Sequence, residues 1–91
     1  MKFDVSVEGH AAQVDIAFDG KGGFTGTITS PEYGKGAITD GQDDGAGNIG
    51  GNVELMGHHA RFTAHIAGNA ISGTLRVAIF FSKSFTGTKV A

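Results

Sequence analysis

Apolar and polar residues alternate along nearly the whole chain, and this period of two is the strongest constraint on its fold. The segment 13–18 reads QVDIAF and the segment 59–66 reads HARFTAHI. Successive side chains of a β-strand point to opposite faces, so this alternation predicts strands that are buried on one face. No segment shows a convincing helical period. With the segments 34–43 and 84–90 included, the pattern predicts eight strands.

The turns between the alternating segments allow strand pairing to be predicted. Glycine-containing turns at 20–22, 56–57 and 68–69 would connect antiparallel strands. Opposed residues in such a pair point to the same face. The three hairpins pair Phe18 with Phe24, Val53 with Ala60, Gly51 with Phe62, Phe62 with Leu75, Ala64 with Gly73 and Ile66 with Ile71. All three hairpins therefore share one apolar face.

Sixteen glycines are more than twice the average share of this residue, and some of them recur inside the strands. The segments FTGTI, IGGNV and ISGTL, with FTGTK as a partial fourth, place Gly26, Gly51, Gly73 and Gly87 on the apolar face. A mid-strand glycine suits a sharply curved sheet, where it leaves space for phenylalanines opposite. We predict an all-β protein, an eight-stranded antiparallel up-and-down (meander) barrel, with a two-sheet β-sandwich as the alternative.

Composition and charge exclude several classes of function. The 91 residues predict one domain, residues 1–91. A net charge of −2 with seven scattered lysines and arginines predicts no nucleic-acid partner, and no apolar run is long enough for a membrane span. Zero cysteines exclude a disulfide framework and thiol chemistry. The start, MKFDVSVEG, lacks the apolar block of a secretory signal, so we expect a soluble cytoplasmic protein.

The acidic, glycine-rich segment ITDGQDDGAGNIGG, residues 38–51, raises the question of a calcium loop. A loop of the EF-hand type needs acidic oxygens early in the loop, a glutamate at its end and flanking helices. Counted from Asp40, the position of that glutamate is Gly51, and strands flank the segment. Residues 44–47, DGAG, fit a hairpin loop, since Gly and Asp tolerate positive φ. We predict a turn here.

The same turn gives a register for Asp40. With 44–47 as the loop, Asp40 would face Gly51 and point into the barrel beside Phe24, with Gln42 opposite Ile49. A carboxylate among apolar residues suits a general base or a ligand anchor. The alternative is a bulge at Gly41 that turns Asp40 out to solvent.

The histidines offer one further candidate. His59 and His65 share the outward face and lie too far apart along one strand to chelate one metal, so we expect no metal site and no cofactor. His59 would pair across the strands with Glu54. His58 has inward parity at the end of its strand, where it would line one end of the barrel with Gln42 or Tyr33.

The motifs FTGTITSPEYGKGAITDGQDDG and FTAHIAGNAISGTLRV, with a closing FTGTKVA, resemble those of a largely uncharacterised family of small, lipocalin-like (calycin-like) bacterial β-barrel domains. Members of that family occur alone or attached to larger enzymes. The resemblance covers residues 16–91 and consists mostly of turn glycines and barrel positions, so it implies the fold and no activity. Avidin-like barrels share the G-ISGT motif, but their biotin site depends on tryptophans, and this chain has none.

A barrel of this size is either filled by its own side chains or holds one small ligand. We expect a lipocalin-like binding module for a small hydrophobic molecule. The residues expected to line the site are Phe24, Asp40, Gln42, His58, Phe62 and Leu75.

Two alternatives to ligand binding remain open. The first is a small isomerase- or cyclase-type enzyme with Asp40 as the base and Gln42, Tyr33 or His58 orienting the substrate. The second is a non-catalytic accessory domain, or a homodimer, that uses the adjacent aromatic residues Phe80 and Phe81 as its contact.

Overall fold

The protein is a closed barrel of eight antiparallel strands. The computed structural model describes residues 1–32, 34–55, 57–78 and 81–90. Each strand pairs with its neighbours in chain order, and β1 pairs with β8, which confirms the predicted up-and-down barrel. None of the described segments forms a helix long and apolar enough to cross a membrane. The strands are β1 (Lys2–Val7), β2 (His10–Phe18), β3 (Gly23–Ser30), β4 (Gly34–Asp43), β5 (Asn48–Leu55), β6 (His58–Ala67), β7 (Ala70–Ala78) and β8 (Phe81–Lys89).

The three predicted hairpin registers are confirmed. Phe18 lies opposite Phe24, and Phe62 lies between Gly51 on β5 and Leu75 on β7. Because all of these residues point inward, one row of side chains runs continuously around the barrel from β5 to β7. A register slip of one residue would turn that whole row out to solvent, so burial of the row fixes the pairing.

The inward glycines allow neighbouring strands to approach one another closely. A Cβ atom added at Gly73 would lie 2.7 Å from Ala64 Cα and 2.8 Å from Ala64 Cβ, and it would also collide with the Thr63 carbonyl oxygen. At Gly51 an added Cβ would lie 3.2 Å from the Phe62 ring. The expectation that the repeated glycines make room for phenylalanines therefore holds at Gly51. Close contact with a carbonyl oxygen of the adjacent strand would arise at Gly26, Gly73 and Gly87.

The interior is densely filled at the end of the barrel where β1 begins. Phe3 and Ile16 are fully buried there. Phe24 contacts Phe62 in a tilted arrangement with ring centroids 6.2 Å apart, and Phe18 meets Phe24 edge-on at 5.6 Å. Such aromatic pairs stabilise a core beyond the area they bury. We call this end the packed end.

Asp40 lies outside the barrel, so the expectation that it points inward is wrong. The register of β4 shifts between Thr39, which pairs with Asn52, and Gln42, which pairs with Gly50. One extra residue in β4 forms a β-bulge, which is the predicted alternative. Asp40 adopts a left-handed φ of 54°, a conformation that Asp tolerates better than most residues. Its carboxylate accepts a hydrogen bond of 2.9 Å from the Asn52 side-chain amide.

The bulge also moves Gln42. It pairs with Gly50 and not with Ile49 as predicted, and its side chain is exposed. Gly41 takes the inward place beside Phe24, where an added Cβ would lie 2.6 Å from the Phe24 ring. Only glycine fits this position without displacing the ring, which explains why the extra residue is accommodated here.

The turn predicted at 44–47 is confirmed, since β4 ends at Asp43 and β5 begins at Asn48. The Asp44 carboxylate accepts hydrogen bonds from the Ala46 backbone N–H at 2.8 Å, the Asn48 backbone N–H at 3.1 Å and the Asn48 side-chain amide at 2.7 Å. The hydrogen bond from the Asn48 side chain, followed by that from the Ala46 backbone, holds the pKa of Asp44 below its ordinary value of 3.8. The loop thus uses its own acidic side chain to fix its shape.

This lowered pKa predicts a dependence of stability on pH. A carboxyl group whose pKa is lower in the folded state stabilises that state above its unfolded pKa, and the contribution is lost as the pH falls through the folded pKa. We expect Asp44→Asn to lower the urea midpoint at neutral pH, and the difference from the wild type to shrink as the pH falls below about 4. Urea unfolding across this pH range measures both effects.

Asp4→Asn is the matched control, because the Asp4 carboxylate forms no hydrogen bond or ion pair with the described residues. It should leave the urea midpoint nearly unchanged at neutral pH. A difference between wild type and Asp44→Asn that stays constant down to acidic pH would contradict a role for the ionised carboxylate.

Candidate functional site

An apolar cavity opens at the end of the barrel opposite the packed end, where β1, β3, β5 and β7 finish. Its volume is about 240 Å³, and we call this opening the mouth. The strands reach this end with small or aliphatic inward residues, so the barrel is not filled here as it is by phenylalanine at the packed end. The apolar lining consists of Val7, Ala11, Ala12, Ile28, Val53, Leu55, Ala60, Leu75 and Val77.

A second, smaller space lies in the middle of the barrel between the mouth and the packed end. It measures about 50 Å³ and is lined entirely by apolar atoms. Phe62 and Ile38 line this space, and both are buried. The mouth and the inner space share Val7, Ile28, Val53 and Leu75 as lining residues. An apolar space of this kind favours apolar groups over water, because it offers water no hydrogen-bond partner.

The described polar side chains that line the mouth are His10, Ser30, His58, His59 and Lys83. Ser30 is buried, and its hydroxyl oxygen accepts a hydrogen bond of 3.2 Å from the Glu32 backbone N–H. His58 lines the cavity, and among the described residues it forms no hydrogen bond or ion pair. Lys83 lines the cavity from β8, and it is the one lysine or arginine among the described lining residues. The combination of an apolar lining with a few polar groups is typical of small-molecule sites.

In the described part of the chain, three contacts between a carboxylate and a basic side chain surround this opening. His10 Nδ1 lies 2.7 Å from Glu32 Oε1, and the predicted cross-strand pair of His59 with Glu54 is confirmed at 3.0 Å. Lys83 Nζ lies 3.7 Å from Glu8 Oε2, the longest of the three distances. All six side chains are about half exposed or more, so each pair contributes little to stability.

The structure separates the residues that were predicted to form one site. His58 and Leu75 line the mouth, and Phe62 lines the inner space. Phe24 is buried at the packed end and does not reach the mouth. The remaining two predicted residues, Asp40 and Gln42, are exposed near the opposite end of β4.

These placements bear on the enzyme alternative. Asp40 does not line the cavity. Gly41 occupies the interior position that was predicted for Asp40 and that made Asp40 a candidate base. Gln42 and His58 lie towards opposite ends of the barrel and cannot orient one substrate together. Tyr33, the other predicted orienting residue, lies outside the described residues.

Sequence reasoning missed Lys83. The last strand was predicted to begin at residue 84, whereas β8 begins at Phe81. When the alternation of Phe85 and Gly87 is extended back along the chain, Lys83 also points inward. It pairs with the cavity residue Leu75. The alternation in the segment KSFTG, residues 83–87, could therefore have identified Lys83 as an inward residue.

An exposed aromatic residue lies at the same end of the barrel. Phe81 begins β8 and is 67% exposed. Phe80, the other residue of the predicted contact, lies outside the described residues. A role of Phe81 in a homodimer or in a partner contact stays a prediction.

A larger depression among the described residues lies elsewhere, on the outer surface. It measures about 830 Å³, is wide and open to solvent, and is lined largely by exposed polar residues that include Arg61, Thr63 and His65. A shallow polar surface does not enclose a ligand, so we favour the smaller cavity at the mouth as the site. Across the described part of the chain, no three His, Cys, Asp or Glu residues are grouped to hold a metal ion.

Comparison with protein-family models, with curated proteins and with solved structures finds no match to this chain. The resemblance to lipocalin-like domains therefore stays a prediction from the sequence motifs. The chemistry of the mouth is the remaining basis for assigning a function.

Proposed function

We propose that the protein binds a small apolar molecule in the cavity at the mouth. The observation that carries the proposal is the contrast between the two ends of one barrel. The packed end buries Phe3 and Ile16 completely, whereas aliphatic side chains such as Leu75 and Val77 at the mouth remain partly exposed to an open cavity. Covering these aliphatic side chains with an apolar ligand removes them from water and is therefore favourable.

The size of the cavity limits the ligand. An apolar cavity of about 150 Å³ in another protein binds benzene, whereas sites for drug-sized ligands span about 300–1,000 Å³. The mouth, at about 240 Å³, lies between these limits. A single ring with a short substituent, or an unbranched chain of moderate length, fits this range.

Binding of 1-octanol to the wild type and to Ala60→Leu tests the proposal. Ala60 points into the mouth, so the larger side chain occupies space that the ligand needs. Each buried methylene group contributes about 0.8 kcal/mol, so we expect the three added carbons to lower the affinity by about tenfold or more. Isothermal titration calorimetry measures both affinities.

Ala37→Leu is the matched control, since Ala37 is exposed on β4 and pairs with the outward residues Thr27 and Glu54. It adds the same side chain outside the barrel and should leave the affinity unchanged. Failure of octanol and of other small apolar molecules to bind the wild type saturably would overturn the proposal. Equal binding by wild type and Ala60→Leu would place the ligand elsewhere and contradict it as well.

A further inference from the structure

We propose that the ligand of the mouth carries one carboxylate and that the Lys83 ammonium binds it at the opening. This inference rests on the proposed function and adds the chemical class of the ligand. It would be an anionic amphiphile whose apolar part enters the barrel and whose charged group stays near solvent.

The position of Lys83 is the first observation in support. Within β8, Lys83 shares the inward parity of Phe85 and pairs with Leu75, so its aliphatic stem leaves the strand on the inward side. Its side chain is 44% exposed, which places the residue at the boundary between the cavity and solvent. Lysine commonly lies in this way, with the stem on apolar surface and the ammonium in water.

The charge of the lining is the second observation. The described lining residues of the mouth include Lys83 and no aspartate or glutamate. The acids beside this opening, Glu8, Glu32 and Glu54, are absent from the described lining, and each contacts a lining residue, Lys83, His10 and His59 respectively. A ligand inside the cavity therefore meets a positive group and no negative group on the wall. His58, which has no partner among the described residues, provides a further nitrogen that can hydrogen-bond a carboxylate.

The third observation is the long distance between the charged groups of the existing ion pair. Lys83 Nζ and Glu8 Oε2 are 3.7 Å apart, which is longer than a hydrogen bond, and both side chains are about half exposed. Such a pair is weak, so a ligand carboxylate can replace or share the Glu8 contact with little loss. The apolar tail of a ligand would also hold its carboxylate in place, whereas the Glu8 side chain is about half exposed to solvent.

Three ligands with the same tail and different head groups test the inference: octanoate, 1-octanol and octylammonium, each below its micelle concentration. We expect octanoate to bind the wild type about tenfold more tightly than octylammonium. Added salt should weaken the binding of octanoate and leave that of octanol unchanged, because salt screens the contact between exposed charges. Isothermal titration calorimetry at neutral pH provides the affinities.

Lys83→Met removes the charge and keeps an unbranched apolar side chain. It should lower the affinity for octanoate about tenfold and leave that for octanol unchanged. Lys21→Met is the matched control, because Lys21 is exposed in the loop before β3 at the packed end, and it changes the net charge equally. Glu8→Gln should strengthen octanoate binding several-fold, since it removes the competing carboxylate.

The outcomes separate this inference from the proposed function. Saturable binding of octanol together with equal losses for octanoate and octanol in Lys83→Met would overturn the carboxylate contact and leave the apolar site standing. Tighter binding of octylammonium than of octanoate would also overturn it. Absence of binding by all three ligands would overturn both proposals.

Discussion

Gly73→Ala is expected to lower the free energy of unfolding by about 3 kcal/mol, at the upper end of the usual cost of overpacking a core. The added methyl group would lie 2.7 Å from Ala64 Cα and 2.8 Å from Ala64 Cβ on the adjacent strand. The contacted atoms are the Cα and Cβ of Ala64, and neither can move away by rotation of a side chain. Strands β6 and β7 would have to separate. Urea unfolding monitored by circular dichroism measures the loss.

Gly50→Ala is the matched control on the outer surface of β5. There an added Cβ would lie 3.2 Å from the Phe62 carbonyl oxygen and 3.8 Å from Thr63 Cγ2. Alanine is favoured over glycine inside a strand by roughly 0.5–1 kcal/mol, which offsets the one tight contact. We expect a change of less than about 1 kcal/mol. Equal stability of Gly73→Ala and Gly50→Ala would contradict the close approach of β6 and β7.

Phe3→Ala is expected to cost about 3–5 kcal/mol, the usual range for removing a buried phenylalanine. Phe3 is 0% exposed and pairs with Val14 on one side and with Lys89 on the other. It therefore fills the packed end at the seam where β1 and β8 close the barrel. Since small domains are stable by only about 5–15 kcal/mol, this one change should remove a large part of the total. The urea midpoint and the cooperativity of unfolding report the effect.

Phe18→Ala removes the same side chain from a position that is 37% exposed. It also loses the edge-on contact with Phe24, whose ring centroid lies 5.6 Å away. We expect a cost of about 1–2 kcal/mol, which is less than that at Phe3. A cost at Phe3 no larger than that at Phe18 would show that the packed end is not closed as described.

The pairing of most strands could be predicted because burial and turn chemistry agree. The turn at 68–69 sets the register of β6 and β7, and the same register buries Phe62 opposite Leu75. Two independent requirements then select one arrangement, and an error of a single residue would violate both. The same reasoning fails where a strand carries an extra residue.

Such a residue occurs at Asp40. Alternation counted back from the turn assigns both Ile38 and Asp40 to the interior, but the β-bulge keeps Ile38 inward, gives the next inward place to Gly41 and turns Asp40 out. The segment contains a glycine that permits the bulge, and the hydrogen bond from Asn52 stabilises it on the outside. The sequence allowed both registers, and the cost of burying a carboxylate decides between them.

The cavity was the least predictable feature. Parity identifies which residues point inward, and it assigned Leu75 and His58 correctly. It does not tell how far along the axis each side chain lies, so Phe24 and Phe62 were assigned to the same site as His58, although Phe24 closes the packed end. Volume depends on how side chains from all eight strands combine at one level of the barrel, and a single-strand pattern does not contain that information.

Methyl NMR during a titration with 1-octanol tests most directly whether the open end of the barrel is the binding site. We expect saturable shifts for the methyl groups of Leu55, Leu75 and Val77, which line the mouth. The methyl groups of Ile49, which is buried and lines neither the mouth nor the inner space, should shift far less. No saturable shift at the mouth, or a shift as large at Ile49 as at Leu75, would contradict binding at the open end.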